Sequence, residues 1–355
     1  MTGTLDRYFN SPNKSFTPVK SLALKVPKRF GEEARKKLVN SNILKKNLII
    51  TRDEKFVYFP IMARIKTAHK IISTDFEIAR TRIKTYRDII TVPEDLKTYL
   101  PKSFDIIGEI AVVKVAKELL SYKKTIGDAI LTANKNVKTV AVDEGVKNEY
   151  RIRKLNVVSG DHKTETIHRE HGIRIMIDLA KAYYSPRLAT ERMRVAKQVK
   201  DGEIVIDMFA GVGPFSLTIA MKTKAKKIFA IDVNPAAIEY LKKNIELNKA
   251  GNILPLLGDA GKVIKKTEIA DRIIMNLPHS AIEYFGDALN SLRCRGIIHY
   301  YSIVNTENLK KEINALKNIA GTYGRKVKIL EQRIVRNYSP TEKHIALDLT
   351  IFCDR

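Results

Sequence analysis

The residues of this chain best suited to chemistry are two aspartates at the ends of apolar runs, a glycine turn between them, and an Asn-Leu-Pro turn further on. The run Glu203-Ile-Val-Ile-Asp-Met208 reads as a buried strand that turns through Gly211 and Gly213 into a helix beginning near Pro214. Glycines at such a turn let backbone approach a ligand closely, and Phe209 lies within it. A second apolar run, Lys227 to Ile231, ends in Asp232, where an acid can accept hydrogen bonds from both hydroxyls of a ribose. The third glycine of G-x-G-x-x-G is missing and Pro214-Phe215 follows, so no pyrophosphate cradle forms and a dinucleotide is disfavoured. Asp207, just before the turn, can instead face the ammonium of an amino-acid moiety. Asn276-Leu-Pro278 follows the fourth strand candidate, at the carboxyl edge where such sheets bind ligands.

The elements that must position these groups are legible in outline. Residues 1–16 are polar and proline-containing and read as a mobile tail. Residues 17–68 form a small unit: a strand around Leu22–Val26, a helix from Glu32 to about Val39, and strands at Asn47–Ile50 and Phe56–Phe59. A basic linker is expected over 69–85 and a middle α/β unit over 86–167, with a helix from Val112 to Leu120 and strands at Thr139–Val142 and Tyr150–Val158. Arg151 and Arg153 share one face of that last strand by its period of two. From 168 to 355 strand and helix alternate as in a doubly wound sheet. Asn234 is the expected N-cap of the helix after Asp232, with Pro235 in its first turn and Gly251 as its stop. Strand candidates at Lys326–Val335 and His344–Phe352 close the chain.

Composition bounds the partners. Lysine and arginine number 64 against 39 acids, a net charge of +25, so the surface carries a broad positive field that suits a polyanion. With only Cys294 and Cys353, no C-x-x-C and no histidine at ligand spacing, structural zinc and other metal sites are not expected. No apolar stretch is long enough for a signal or membrane span, which predicts a cytoplasmic protein with no membrane contact. High lysine, glutamate and isoleucine, with glutamine only at positions 198 and 332, fit a thermophile.

The Asp207–Phe215 segment resembles the first motif of class I methyltransferases, whose cofactor is S-adenosyl-L-methionine. The final strand pair resembles their C-terminal hairpin. Asn276-Leu-Pro278 resembles the Asn-Pro-Pro-Tyr-like turn of amino methyltransferases, but His279 and Ser280 replace the aromatic, which argues against adenine or cytosine amino groups as acceptors. Together with Tyr150-Arg-Ile-Arg153 and Tyr183-Tyr-Ser-Pro-Arg-Leu-Ala-Thr-Glu-Arg192, these motifs are similar to the archaeal Trm5 family of tRNA (guanine37-N1)-methyltransferases, from about residue 20 to the end.

The resemblance implies a general base at Glu191, an arginine facing guanine O6 at Arg151 with Arg153 as competitor, and an aromatic stacking on the target base at Tyr183. It further implies Asn276 and Pro278 in the methyl-transfer pocket, Asp207, Asp232 and Asp259 at the cofactor, Arg192 near the target phosphate with Arg187 also on the substrate side, and a first domain that reads the outer corner of tRNA. The anticodon loop would be the other contact, and the enzyme a monomer. The chemistry is sound on its own terms: guanine N1 carries a proton, so a carboxylate must remove it, and the charge that builds on O6 suits a guanidinium. An extruded base also needs an aromatic face.

Three other readings remain at this point. One is an aminocarboxypropyl transferase of wyosine biosynthesis, one a bifunctional enzyme that also methylates C7 of a wyosine intermediate, and one a non-catalytic tRNA binder. The tail adds a separate possibility, since Leu5, Tyr8 and Phe9 have the spacing of a sliding-clamp-binding box without its glutamine.

Overall fold

All four side chains of β11 (Ile204–Asp207) are buried, which requires cover on both faces and neighbours on both edges. The computed structural model, which describes residues 18–78, 85–147 and 152–353, supplies both. Two compact units divide at Lys84/Thr85. The sliding-clamp candidates Leu5, Tyr8 and Phe9, and Arg151, lie outside the described residues.

The first unit contains β1 (Val19–Pro27), α1 (Gly31–Asn40), β2 (Thr51–Arg52), β3 (Phe56–Pro60) and β4 (Lys70–Phe76). Its antiparallel sheet runs β2-β3-β1-β4. Ala34 and Leu38 of the helix pack on Leu24, Val26, Phe59 and Ile61. Two expectations are corrected here. Asn47–Ile50 carries only an isolated bridge from Leu48 to Ile78, and β4 lies within the expected linker. Lys70–Phe76 alternates too weakly in hydropathy to be found by periodicity, and its pairing with β1 decides its state.

The second unit opens with β5 (Asp105–Ile107), β6 (Ile110–Val113), α2 (Lys123–Ala133), β7 (Thr139–Lys147) and β8 (Ile152–Gly160), ordered β5-β6-β7-β8. The helix expected from Val112 is not there. Ile110-Ala-Val-Val113 is a fully buried strand parallel to β7, and the helix comes ten residues later, because a short apolar run has no periodicity to separate the two states. A separate hairpin follows, β9 (Glu165–Glu170) and β10 (Ile173–Asp178).

α3 (Ala189–Gln198) leads into the large sheet, whose remaining elements are α4 (Pro214–Lys222), β12 (Lys227–Asp232), α5 (Pro235–Asn248), β13 (Ile253–Leu257), α6 (Ala260–Val263), β14 (Ala270–Met275), α7 (Phe285–Asn290), β15 (Leu292–Asn305), α8 (Leu309–Thr322), β16 (Arg325–Asn337) and β17 (Glu342–Cys353). Its order is β13-β12-β11-β14-β15-β17-β16, with β17 antiparallel to both neighbours, which is the expected class I methyltransferase sheet with its terminal hairpin. One face is covered by α4 and α5 through Phe215, Leu217, Ile238 and Leu241, the other by α6, α7 and α8 through Ala260, Phe285 and Leu316.

Local signals set the ends of α5: Asn234 Oδ1 accepts from Ala236 N at 3.0 Å with Pro235 in the first turn. Its stop is Lys249, in the left-handed region at φ 56°, two residues before the expected Gly251. The chain leaves β11 for β12 on one side and returns to β14 on the other. That reversal opens a crevice at the carboxyl ends of β11, β12 and β14, where Asp207, Asp232 and Asn276 stand. Among the described residues no helix is long and apolar enough to cross a membrane.

Candidate active site

A cavity of about 520 Å³ occupies this crevice. Of the residues expected at the site, Arg153, Tyr183, Arg187, Arg192, Phe209, Gly211, Asp232, Asn276 and Pro278 line it.

The glycine turn divides its labour. Gly211 has φ 56° and donates its N–H to Asp232 Oδ2 at 2.7 Å, so the carboxylate is tied to the turn. Asn234 N donates to the other oxygen at 2.9 Å. A carboxylate has about four lone-pair sites, so Asp232 retains acceptor capacity for two ribose hydroxyls. Gly213, at φ 88°, is a different case: a Cβ there would lie 2.3 Å from Leu241 Cδ1, so its place is close packing of the turn on α5, away from the cavity wall.

Asp207 is likewise beneath the wall. It is fully buried, and its Oδ2 accepts from the Ser216 hydroxyl at 2.8 Å, which braces the turn. Its Oδ1 is buried without a hydrogen-bond partner. Burial first, then the nearby Asp232 charge, pushes this carboxyl up to about 7, against the hydrogen bond from Ser216 that lowers it. Burial also raises Asp232. A buried acid that lacks one partner and is held above its ordinary range is suited to receive a cation, which fits the ammonium of S-adenosylmethionine. Asp259 caps α6 by accepting from Lys262 N at 3.1 Å and receives the Tyr284 hydroxyl at 3.4 Å. Tyr284 packs edge-on against Phe209 at 5.2 Å, so Asp259 reaches the cavity wall only through these rings.

Asn276 follows β14, and its Oδ1 is buried without a hydrogen-bond partner, as expected of an acceptor awaiting a ligand N–H. The turn is strapped to β15 by Ile303 N donating to Pro278 O at 2.9 Å. Sequence reasoning found no aromatic in this turn. The fold supplies one from the far end of β16, where Tyr338 packs on His279 at 5.7 Å and lines the cavity. Arg336, with a buried Nε that has no hydrogen-bond partner, lines the same wall and was also missed. Both lie about 60 residues beyond the turn, and only the hairpin brings them back.

The cationic wall is more neutralised than the charge count suggests. Arg153 pairs with Asp143 at 3.2 Å and lies 5.6 Å from the Tyr183 ring, while Arg187 pairs with Asp105 at 2.8 Å. Arg192, expected near a target phosphate, has a side chain that is 1 % exposed, with Nε and Nη2 bonded to Glu170 and Nη2 also donating to Ser185 O at 3.1 Å. These bonds hold the Tyr184–Ser185 segment to the β9 hairpin. Leaving one partner of such a pair buried alone costs roughly 3–5 kcal/mol.

Glu191, on α3, is 3 % exposed and is not part of the cavity lining. Its Oε1 accepts from the Tyr301 hydroxyl at 2.8 Å and from Arg194 Nη2 at 2.8 Å, while Arg333 stands 3.6 Å from Oε2. Arg194 is shared with Asp348, at 2.5 Å and 2.9 Å. Burial alone would raise Asp348, but bonds from Arg194 and His299 hold it well below the usual carboxylate range. His299 Nδ1 lies 2.7 Å from Asp348, and its Nε2 lies 2.8 Å from Arg272, which can only donate. That assigns a neutral imidazole protonated on Nδ1, consistent with burial lowering its pKa.

The comparisons with known proteins agree with this geometry. Residues 166–330 match the TRM5/TYW2 methyltransferase domain, 86–164 the TYW2 N-terminal domain, and 23–69 the tRNA methyltransferase 5 N-terminal domain. The chain is 43 % identical over 333 residues to a tRNA (guanine(37)-N(1))-methyltransferase Trm5b of Pyrococcus abyssi, covering 93 % of this chain and 99 % of that protein. The crystal structure of P. abyssi Trm5b superposes with a TM-score of 0.78 at 42 % identity, covering 94 % of this chain and 99 % of that one. The structure of the complex of aTrm5 and tRNALeu gives 0.77 at 35 % identity, covering 93 % and 99 %. A crevice built as a class I methyltransferase site, matched over nearly the whole length of both chains, places this protein in the TRM5/TYW2 family of methyltransferases.

Proposed function

We propose that this enzyme transfers a methyl group from S-adenosylmethionine to N1 of guanosine 37 in tRNA. The observation that carries this is the match over 93 % of the chain, first unit included, to two Trm5b enzymes, the second being 37 % identical and from Methanocaldococcus jannaschii. The aminocarboxypropyltransferase of Pyrococcus horikoshii is 34 % identical but spans only 75 % of this chain, although that is 96 % of its own length.

In this reading Asp232 holds the ribose hydroxyls, Asp207 lends its charge beneath the amino-acid end, and Asn276 Oδ1 accepts a hydrogen bond from the target base. When bound, the cofactor supplies an electrophilic methyl. Tyr183, on the cavity wall, stacks on the extruded base, and Arg151 or Arg153 faces O6. Glu191 removes the N1 proton. To do so it must exchange Arg194 and Tyr301 for the base, and Asp348 gives Arg194 a second carboxylate to hold during that exchange. The first unit, with the positive field of the whole chain, reads the outer corner of tRNA while the second takes the anticodon loop.

Substrate replacement tests the assignment. A transcript with adenosine at position 37 is not methylated, because adenine N1 has no proton to surrender, whereas inosine keeps N1–H and O6 and retains activity. Equal turnover of the adenosine transcript contradicts proton removal. A second reading has one observation in its favour: the tRNA 4-demethylwyosine(37)-methyltransferase Taw21 of Saccharolobus solfataricus is 35 % identical over 255 residues, 70 % of this chain. Activity on a wyosine intermediate alongside guanosine 37 would mark a bifunctional enzyme.

A further inference from the structure

We propose that Cys294 and Cys353 form a reversible intramolecular disulfide that staples the end of β17 to the start of β15. These are the only two cysteines in 355 residues, and both are free and exposed. β15 and β17 are antiparallel neighbours with Ile297 opposite Thr350, and three further residues along each strand reach Cys294 and Cys353. β15 bulges here, with Arg295 at φ 67° and its ladder to β14 stepping from Leu292 to Ile297. The bulge does not part the cysteines. Cys353 N donates to Cys294 Sγ at 3.0 Å. A backbone nitrogen of Cys353 this close to Cys294 Sγ brings the two residues within the roughly 4.4–6.8 Å between Cα atoms that a disulfide spans.

The surroundings divide the roles of the two sulfurs. Arg325 Nη1 donates to Cys353 Sγ at 2.9 Å. The bond from Cys353, then the charges of Arg325 and Arg295, lower the Cys294 thiol below its ordinary range, while the bond to Cys294 raises Cys353. Cys294 lines a cleft and Cys353 does not, so Cys294 is the sulfur a reagent reaches first and Cys353 the resolving thiol. A cleft of about 640 Å³ beside Cys294, with Arg293 and Arg295 in its wall, admits a small anionic reagent.

The oxidant is a low-molecular-weight disulfide. Cys294 thiolate attacks one of its sulfurs, forming a mixed disulfide and displacing one thiolate. Cys353 then loses its proton to solvent and attacks Cys294 Sγ, displacing the second thiolate. Two protein thiols lose two electrons, and the small disulfide gains them as two thiols. The bond closes a loop of about 58 residues, long enough to restrict the unfolded chain substantially, and lies at the amino-terminal end of β15, whereas Ile303 lines the cavity near its other end.

Incubating the full chain with oxidised glutathione, then quenching in acid for intact mass, thiol titration and peptide mapping, tests this. The expected result is loss of both thiols, a mass lower by two hydrogens, a peptide cross-linking Cys294 to Cys353, a melting temperature raised by about 5 °C or more, and unchanged methyl transfer. Cys353→Ser should stop at a stable glutathione adduct on Cys294. Two titratable thiols after treatment, an adduct that persists on the unsubstituted chain, or covalent dimers would overturn the disulfide. An unchanged or lowered melting temperature would overturn the staple.

Discussion

Replacing Glu191 by glutamine slows single-turnover methyl transfer by roughly 100-fold or more, the range of a positioned general base, with affinities for tRNA and S-adenosylmethionine little changed. Glutamine preserves the size of the side chain and still accepts from Tyr301 and Arg194, whose bonds hold Glu191 in place. Arg194 keeps its carboxylate partner in Asp348, so the substitution leaves no bare buried cation. What it removes is the proton acceptor. A Glu191→Gln enzyme that works at the unsubstituted single-turnover rate transfers the role of base to another group near Asn276.

Asp207→Asn stabilises the fold at pH 8 and weakens the response to cofactor. The folded protein holds the Asp207 proton up to about pH 7, whereas an ordinary aspartic acid releases it near 3.8. The folded state therefore binds more protons between these values. Asp207 contributes its full stability below about pH 4 and loses it as pH rises towards 7, with a ceiling of ~4 kcal/mol for a shift of this size. Asparagine keeps the acceptor for the Ser216 hydroxyl without the charge. Melting curves should show the variant more stable than the parent by about 2 kcal/mol at pH 8, half that ceiling, with the advantage gone at pH 4. The rise in melting temperature on adding S-adenosylmethionine should shrink, because the buried charge that the ammonium offsets has been removed. A variant destabilised equally at both pH values would make Asp207 a brace for the turn and nothing more.

The crevice was legible in the sequence because its determinants are local. A glycine turn and acids at strand ends specify a ligand edge without any knowledge of distant neighbours, and Asn234-Pro235 marks a helix start unaided. What depends on long-range pairing was not legible. Arg192 gives no sign in the sequence of its buried partner, and only the β9 hairpin brings Glu170 against it. Arg336, in β16, and Tyr338, just beyond its end, are announced by nothing near Asn276, yet they complete its wall. Ile110–Val113 is too short an apolar run to choose between strand and helix, and β7 decides for it. Asp207 and Gly213 belong to the motif expected at the cofactor, and the structure sets them under the cavity, as brace and packing point, with Gly211 and Asp232 at its surface.

The central claim is methyl transfer to N1 of guanosine 37, and one double-label measurement tests it most directly. The full chain is incubated with a tRNA transcript bearing guanosine 37 and S-adenosylmethionine carrying tritium in the methyl group and radiocarbon in the methionine carboxyl, and the digested nucleosides are separated. The expected result is tritium alone, in 1-methylguanosine from position 37. Radiocarbon in the modified nucleoside, or tritium in any nucleoside other than 1-methylguanosine, would contradict it.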